Sequence, residues 1–276
     1  MFETLPAFDW FQQNHRAIQE KIVSPKLRLS LSPGGYTMKK MQRLTLRLAT
    51  LLAMAALVQT SPIPPRAWTL DSAALEPAAL PAGTTPLHPP ARADLDGDGM
   101  AETLTLSDGR LALLSAGQTI WESPPNWNVL QAAFTSLNDD ALPEATLLVW
   151  RAFRPWPVDE FLPYGGRIAD FHDRAGNSCH IILIGRIRGR LGEVWAGSAL
   201  ADPVTAFAAA DLNGDAAQEL ITLEGRYAGV GSGPARALKV WEWNGFGFTL
   251  VSSVNGSFSA LALARQEDGQ ILILTP

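Results

Sequence analysis

The sequence predicts an all-β fold, a propeller or partial propeller of about four blades. Three observations predict it. An acidic loop pattern recurs three times after residue 91, each copy followed by an apolar run. Short runs rich in β-branched and aromatic residues, parted by hairpin turns, fill the remainder. Helical periodicity is weak throughout that stretch.

The composition permits a large core. Of 276 residues, 47 % are hydrophobic and 18 % charged, which is not the balance of a disordered chain. Charge is unevenly spread: residues 1–60 hold 8 Lys+Arg against 3 Asp+Glu, and residues 61–276 hold 14 against 24. Lys239 is the only lysine after residue 60. An acidic body of this kind excludes nucleic acid as a partner, because phosphate binding needs basic clusters. Cys179 stands alone, so no intramolecular disulfide is expected.

In chain order, residues 38–60 read as an export signal. Lys39, Lys40, Arg43 and Arg47 precede the apolar run 48–58, and Gln59, Thr60 and Ser61 follow it. The run is short for a spanning helix. Two outcomes are expected, a cleaved signal or an uncleaved N-terminal anchor, and only the second gives membrane contact. The protein is accordingly expected to be secreted or held at the cell surface. A signal that begins 37 residues in suggests that translation starts at Met38 or Met41, and that residues 1–37 take no part in the fold. Residues 61–90 carry eight prolines and read as an extended linker with little regular structure, in which residues 68–70 supply one stray strand.

The repeat domain is expected over residues 91–276. The first loop places Asp94, Asp96, Asp98, Met100 and Glu102 at positions 1, 3, 5, 7 and 9. The second places Ser136, Asn138, Asp140, Leu142 and Glu144 there, and the third Asp211, Asn213, Asp215, Ala217 and Glu219. The starts are 42 and then 75 residues apart, and an insertion at 151–180 fills the larger gap. Strands are expected at 103–106, 110–115, 118–122, 129–135, 145–150, 180–186, 192–196, 204–209, 220–223, 237–243, 248–253, 258–264 and 270–274. Turns such as Asp108-Gly109, Asn244-Gly245 and Asp268-Gly269 separate several of them. Units of about 42 residues with four strands match a propeller blade, and about 185 residues give four blades, the last one short.

The loop chemistry points to Ca2+. Alternate residues of a tight loop turn their oxygens toward one centre, and Gly97 and Gly99 let the backbone curl. Calcium takes six to eight oxygens from carboxylates and carbonyls, here including the carbonyl of Met100. Four clustered carboxylates without a cation repel one another. Magnesium suits the loops less, since its strict octahedron disfavours an all-protein cage. The pattern is not a helix–loop–helix calcium loop, which needs its bidentate Glu at position 12. The segments 94–102 and 211–219 resemble the FG-GAP/VCBS repeats of integrin-type propellers and of many secreted bacterial proteins. That resemblance implies a loop between two blade strands holding one calcium, with Asp94, Asp96, Asp98, Met100 and Glu102 as one ligand set and Asp211, Asn213, Asp215, Ala217 and Glu219 as another. The second loop begins with Ser136 and lacks both glycines, which makes it the weaker site.

Other constellations were weighed on the same terms. His172, Asp173, Cys179 and His180 match no standard zinc spacing, and Cys179 and His180 would point to opposite faces of a strand. A Cys179–His172 nucleophile lacks an activating context. Trp241 and Trp243 share a strand face and suit inter-blade packing, although exposed tryptophans also stack on sugars. The glycines at 225–233 open no helix, so they form no nucleotide cradle. The expected function is therefore a non-enzymatic, exported calcium-binding module that contacts protein or glycan. The alternative is a secreted propeller-type polysaccharide lyase or hydrolase with its site in the 151–180 insertion.

Overall fold

A computed structural model describes residues 66–154, 171–227 and 233–276. The proposed start, the export signal and much of the insertion (155–170) lie outside the described residues. Among the described residues seventeen strands, numbered in chain order, form four antiparallel sheets, and these are the four blades of a propeller. Blade 1 comprises β4 (Arg92–Ala93), β5 (Glu102–Ser107), β6 (Arg110–Ser115) and β7 (Gln118–Glu122). Blade 2 comprises β8 (Asn128–Thr135), β9 (Glu144–Ala152), β10 (Asn177–Ile187) and β11 (Arg190–Ala196). Blade 3 comprises β12 (Val204–Ala210), β13 (Glu219–Glu224), β14 (Ala235–Trp243) and β15 (Phe248–Phe258).

Blade 4 draws on both ends of the described chain. Its order is β2 (Ala74–Ala78), β1 (Arg66–Asp71), β17 (Ile271–Thr275), β16 (Ala262–Arg265) and β3 (Thr85–Leu87). The expectation of a linker over 61–90 is corrected from residue 66 onward. Proline misled the reading. Pro77 pairs with Trp68 in β2, whose other edge has no partner in the sheet, and Pro86 pairs with Ala264 in β3, at the opposite edge. An edge strand can hold a proline because its missing N–H costs no ladder bond. Blade 4 therefore has five strands against four in each of the others, so it is not cut short. The expected strand 258–264 is also corrected: β15 ends at Phe258 and β16 begins at Ala262, so the chain crosses from blade 3 to blade 4 between them.

Local sequence explains the hairpins. Asp108-Gly109, Ala116-Gly117 and Arg188-Gly189 each take positive φ at both residues, as two-residue turns between twisted strands require. Strand composition follows burial. In β9, seven consecutive residues from Glu144 to Trp150 are buried, because blade 2 is covered on both faces. Leu147, Val149, Ile182 and Ile184 pack toward Leu111 and Leu113 of blade 1. Leu148, Ile181 and Leu183 pack toward Phe207 and Leu220 of blade 3. Ile221, Leu238 and Val240 of blade 3 pack on Trp68, Leu263 and Ile273 of blade 4. Trp195 of blade 2 meets Trp243 and Phe248 of blade 3 edge to face, at centroid distances of 5.9 and 5.1 Å. Trp243 thus packs between blades, as its place on the strand suggested.

One side chain stitches two first strands together. Gln131 of β8 donates its Nε2 to the Phe207 carbonyl of β12 at 2.7 Å, and its Oε1 accepts the Phe207 N–H at 3.0 Å. The carboxamide thus satisfies both backbone groups of one residue, as a neighbouring strand would. Replacing Gln131 with Ala leaves both partly buried groups without protein partners and should cost about 1–3 kcal/mol. Gln131→Glu keeps the acceptor, loses the donor and faces a carbonyl, so it should be at least as damaging. Denaturant midpoints of the two variants check this.

Candidate metal centre in the blade loops

The three acidic loops occupy equivalent places, each joining the first and second strands of a blade: β4–β5, β8–β9 and β12–β13. Strands flank all of them. In loop 94–102 the Asp94 carboxylate collects amides: Oδ1 accepts from Gly97 at 2.7 Å and Asp98 at 3.2 Å, and Oδ2 accepts from Gly99 at 2.8 Å. Asp96 Oδ1 accepts from the Asp98 N–H at 3.1 Å, and Asp98 Oδ1 from the Met100 N–H at 2.7 Å. Glu102 is buried, and its Oε2 accepts the Leu95 N–H at 2.9 Å. Loop 211–219 repeats the scheme. Asp211 accepts from Gly214 at 2.6 Å and Ala216 at 3.0 Å, Asn213 from Asp215 at 2.9 Å, and Asp215 from Ala217 at 2.9 Å. Glu219 accepts from Leu212 at 2.7 Å.

These bonds set the electrostatics. The Gly99 amide foremost holds the Asp94 carboxyl below its ordinary range; desolvation opposes it next, and the amides of Gly97, Asp98 and Asp96 add to the lowering. Burial pushes Glu219 up, opposed by the Leu212 amide. Burial also pushes Glu144 up, to about 7, with the charge of Asp140 adding to it.

One oxygen each from Asp94, Asp96 and Glu102 lies within 4.8 Å of the others. Two oxygens bound to one calcium at 2.3–2.6 Å stand at most about 5 Å apart, so this group fits. Each carboxylate oxygen has two lone pairs, and an accepted N–H leaves one for a cation. Asp98 is not in the convergent group; its Oδ1 faces its own loop amide. The Met100 side chain is exposed and carries no oxygen, so the residue offers only its carbonyl. In loop 211–219, Asn213 turns its Nδ2 inward, donating to Glu219 Oε1 at 2.9 Å and Asp215 Oδ2 at 3.0 Å. The amide bridges two acids there. A cation would need that carboxamide turned over, so this loop is the weaker of the two, and it also carries one acid fewer.

Loop 136–144 keeps half of the scheme. Asn138 accepts from the Asp140 N–H at 3.1 Å, Asp140 from the Leu142 N–H at 2.8 Å, and Glu144 from the Leu137 N–H at 3.1 Å. Ser136 offers no carboxylate to gather the loop amides. Its N–H is instead taken by Gln218 Oε1 of the third loop at 2.9 Å. Asp139 supplies the positive φ where the other loops have Gly97 and Gly214. Glu144 Oε1 is buried with no hydrogen-bond partner.

A position that the metal pattern ignored proves structural. Leu95, Leu137 and Leu212 recur at position 2, are buried, and give their N–H to the position-9 glutamate. The recurrence was visible in all three copies. The loops also touch one another. An Arg186 Nη1 of β10 donates to the Asp96 carbonyl, and the Leu142 side chain lies against Gly97. Gly99 has φ 88° and its counterpart Ala216 has φ 74°. A non-glycine residue there costs about 1–2 kcal/mol. Ala216→Gly should therefore raise stability by about 1 kcal/mol in chelator, read as a higher melting temperature.

The insertion's ends form a hairpin tip. Asp173 Oδ1 caps it, accepting from Ala175 at 2.9 Å and Asn177 at 2.8 Å, and His172 Nδ1 lies 2.7 Å from the Asp173 carbonyl. Cys179 is buried and its thiol is pushed up to about 12 by burial, the opposite of the activation that the thiolate considered with His172 needs. Asp170 lies outside the described residues.

No family model matches the chain, and no curated protein matches it. One solved structure is similar, a crystal structure of BBS1N in complex with ARL6DN, soaked with lead. It is 12 % identical, covers 70 % of this chain and 93 % of that chain, and gives a TM-score of 0.19. A likeness at that level carries no functional argument, and the propeller assignment stands on the strand pairing itself.

Proposed function

We propose that this chain is an exported binding module of the FG-GAP/VCBS kind, a propeller whose loops 94–102 and 211–219 each hold a calcium ion. The observation that carries this reading is the convergence of Asp94, Asp96 and Glu102 oxygens within 4.8 Å, in a loop whose hydrogen-bond scheme recurs at 211–219. Bound calcium would supply positive charge to an acidic loop and rigidify a blade corner. The chain's own contribution is to pre-bend the loop through Asp94 and Asp211, and to anchor its end through Glu102 and Glu219. Protein or glycan would then be held on surfaces whose shape the ordered loops maintain.

Thermal unfolding of the full chain in calcium and in chelator tests the reading. Binding to the native state alone adds about 2.7 kcal/mol per site at a hundredfold excess over the dissociation constant. For a domain of this size that is roughly 5–10 °C per site. Asp96→Ala should remove the larger part of the shift and Asn213→Ala the smaller. An unchanged melting temperature, with magnesium and calcium equally inert, would defeat the proposal.

A further inference from the structure

Blade 2 carries an acidic loop at one end of its β8–β9 pair and a cleft of about 420 Å³ at the other. Asn126 and Asn128 line the cleft at the start of β8, Arg151 at the end of β9, and Asn177 at the start of β10. Asp173 and Leu130 also line it. Leu130 is there because β8 bulges: Val129 pairs with Val149 and Gln131 with Leu148, which leaves Leu130 over and exposed. Bulges of this kind re-aim a side chain, and they are common beside binding sites.

Asp173 is engaged with the Ala175 and Asn177 amides, but the other polar side chains of the cleft are not hydrogen-bonded to described residues. Arg151 is half-buried, its guanidinium carbon 5.6 Å from the Trp127 ring centroid. Among the described residues both salt bridges belong to Lys239, so Arg151 forms none there, although the charge of Glu193 acts on it. The side-chain amides of Asn126, Asn128 and Asn177 make no hydrogen bond to another described residue. A guanidinium held against an indole has lost part of its hydration, and its fork matches a carboxylate in bidentate fashion. Carboxamides both donate and accept, which suits hydroxyl groups. With the guanidinium opposed by Asp173 in the same cleft and by the charge of Glu193, the site suits one carboxylate better than a phosphate dianion. The volume is in the range of small-ligand sites.

We propose that this cleft binds a uronate, a hydroxylated ring bearing one carboxylate, either free or as a residue of an acidic polysaccharide. The carboxylate sits on Arg151 and the ring hydroxyls on the asparagine amides, with Leu130 against the apolar ring face. The site is separate from the acidic loops and stands even if those loops bind nothing.

Titration of the full chain in chelator with glucuronate, galacturonate and glucose, followed by calorimetry or amide NMR shifts, tests the assignment. A uronate should bind at least roughly tenfold more tightly than glucose, the worth of one charge-assisted pair. Arg151→Met should abolish that preference, and Arg151→Lys should restore only part of it. Asn177→Ala should weaken uronate binding several-fold with an unchanged melting temperature, a variant that keeps the test valid if Arg151→Met folds poorly. An oligouronate that binds more than tenfold tighter than the monomer assigns the polysaccharide, and an equal affinity assigns the free acid. Glucose binding as well as the uronates, an unaltered preference in Arg151→Met, or no uronate binding up to about 50 mM would overturn it.

Discussion

Replacing Trp68 with Ala should lower the melting temperature of this protein by roughly 6–20 °C. Trp68 lies in β1, inside the stretch whose prolines suggest a spacer, yet it is buried in the seam between blades 3 and 4. Its ring meets Phe258 edge to face at 6.3 Å, and its Nε1 donates to Thr275 Oγ1 at 2.9 Å. The strand that carries it pairs with β17, in the register Ala67↔Leu274 and Trp68↔Ile273. This is the pairing that joins the two ends of the described chain within one blade. A buried Trp→Ala change costs about 3–5 kcal/mol, through lost transfer energy and the cavity left behind. Trp68→Phe should recover most of the packing but not the bond to Thr275, and so should fall between. A spacer residue would give no change in either variant, so the melting curves separate the two descriptions directly.

The second large effect is a pair of opposed pH dependences that conceal each other. His180 is buried, with Nδ1 3.0 Å from the Gly197 carbonyl and Nε2 2.7 Å from Ser178 Oγ. A carbonyl only accepts, so Nδ1 carries the proton and Nε2 accepts from the Ser178 hydroxyl. Burial first of all, opposed by the bond to Gly197, lowers its pKa from 6.5 to about 4. As pH falls from 6.5, the unfolded chain takes up a proton that the folded chain refuses, so stability drops until about pH 4, by about 3 kcal/mol. Glu144 has the reverse sign. Burial raises it from 4.5 to about 7, so the folded chain holds a proton that the unfolded chain has already lost. Stability therefore drops as pH rises from 4.5 toward 7, again by about 3 kcal/mol. In chelator the two contributions should nearly cancel between about pH 4.5 and 6.5. Glu144→Gln should then reveal stability that rises with pH, and His180→Gln stability that falls with it. Denaturant unfolding at pH 4.5, 5.5, 6.5 and 7.5 measures both slopes. Parallel profiles for the two variants would show that these residues do not control the response.

Much of the fold was legible because the repeat writes its own punctuation. β5 ends and β6 begins where the turn Asp108-Gly109 places them. Only the packed blades show that β9 is buried on both faces, but the run 145–150 within it was expected as a strand. Local rules suffice there, since turn chemistry and side-chain alternation act within a few residues. The acidic loops were legible for the same reason: positions 1, 3, 5 and 9 are neighbours along the chain, and the bonds of Asp94 and Asp211 to their loop amides never leave the loop. Whether a cation joins them is a matter for the calcium titration.

What the chain could not announce is anything that depends on a partner far away in sequence. The role of residues 66–87 is set by β16 and β17, nearly two hundred residues on, and proline reads as a breaker until it is known to lie on an edge strand. Nor do three asparagines, an arginine and a bulged leucine form a pattern along the chain. They share a cleft only because β8, β9 and β10 lie side by side. The sequence alone determined the number of blades, most strand limits and the shape of the acidic loops, since these follow from local turn and side-chain chemistry. The tertiary structure alone decided that both ends of the described chain build blade 4 and which polar groups share the blade 2 cleft, because burial and pairing across long separations are properties of the packed molecule.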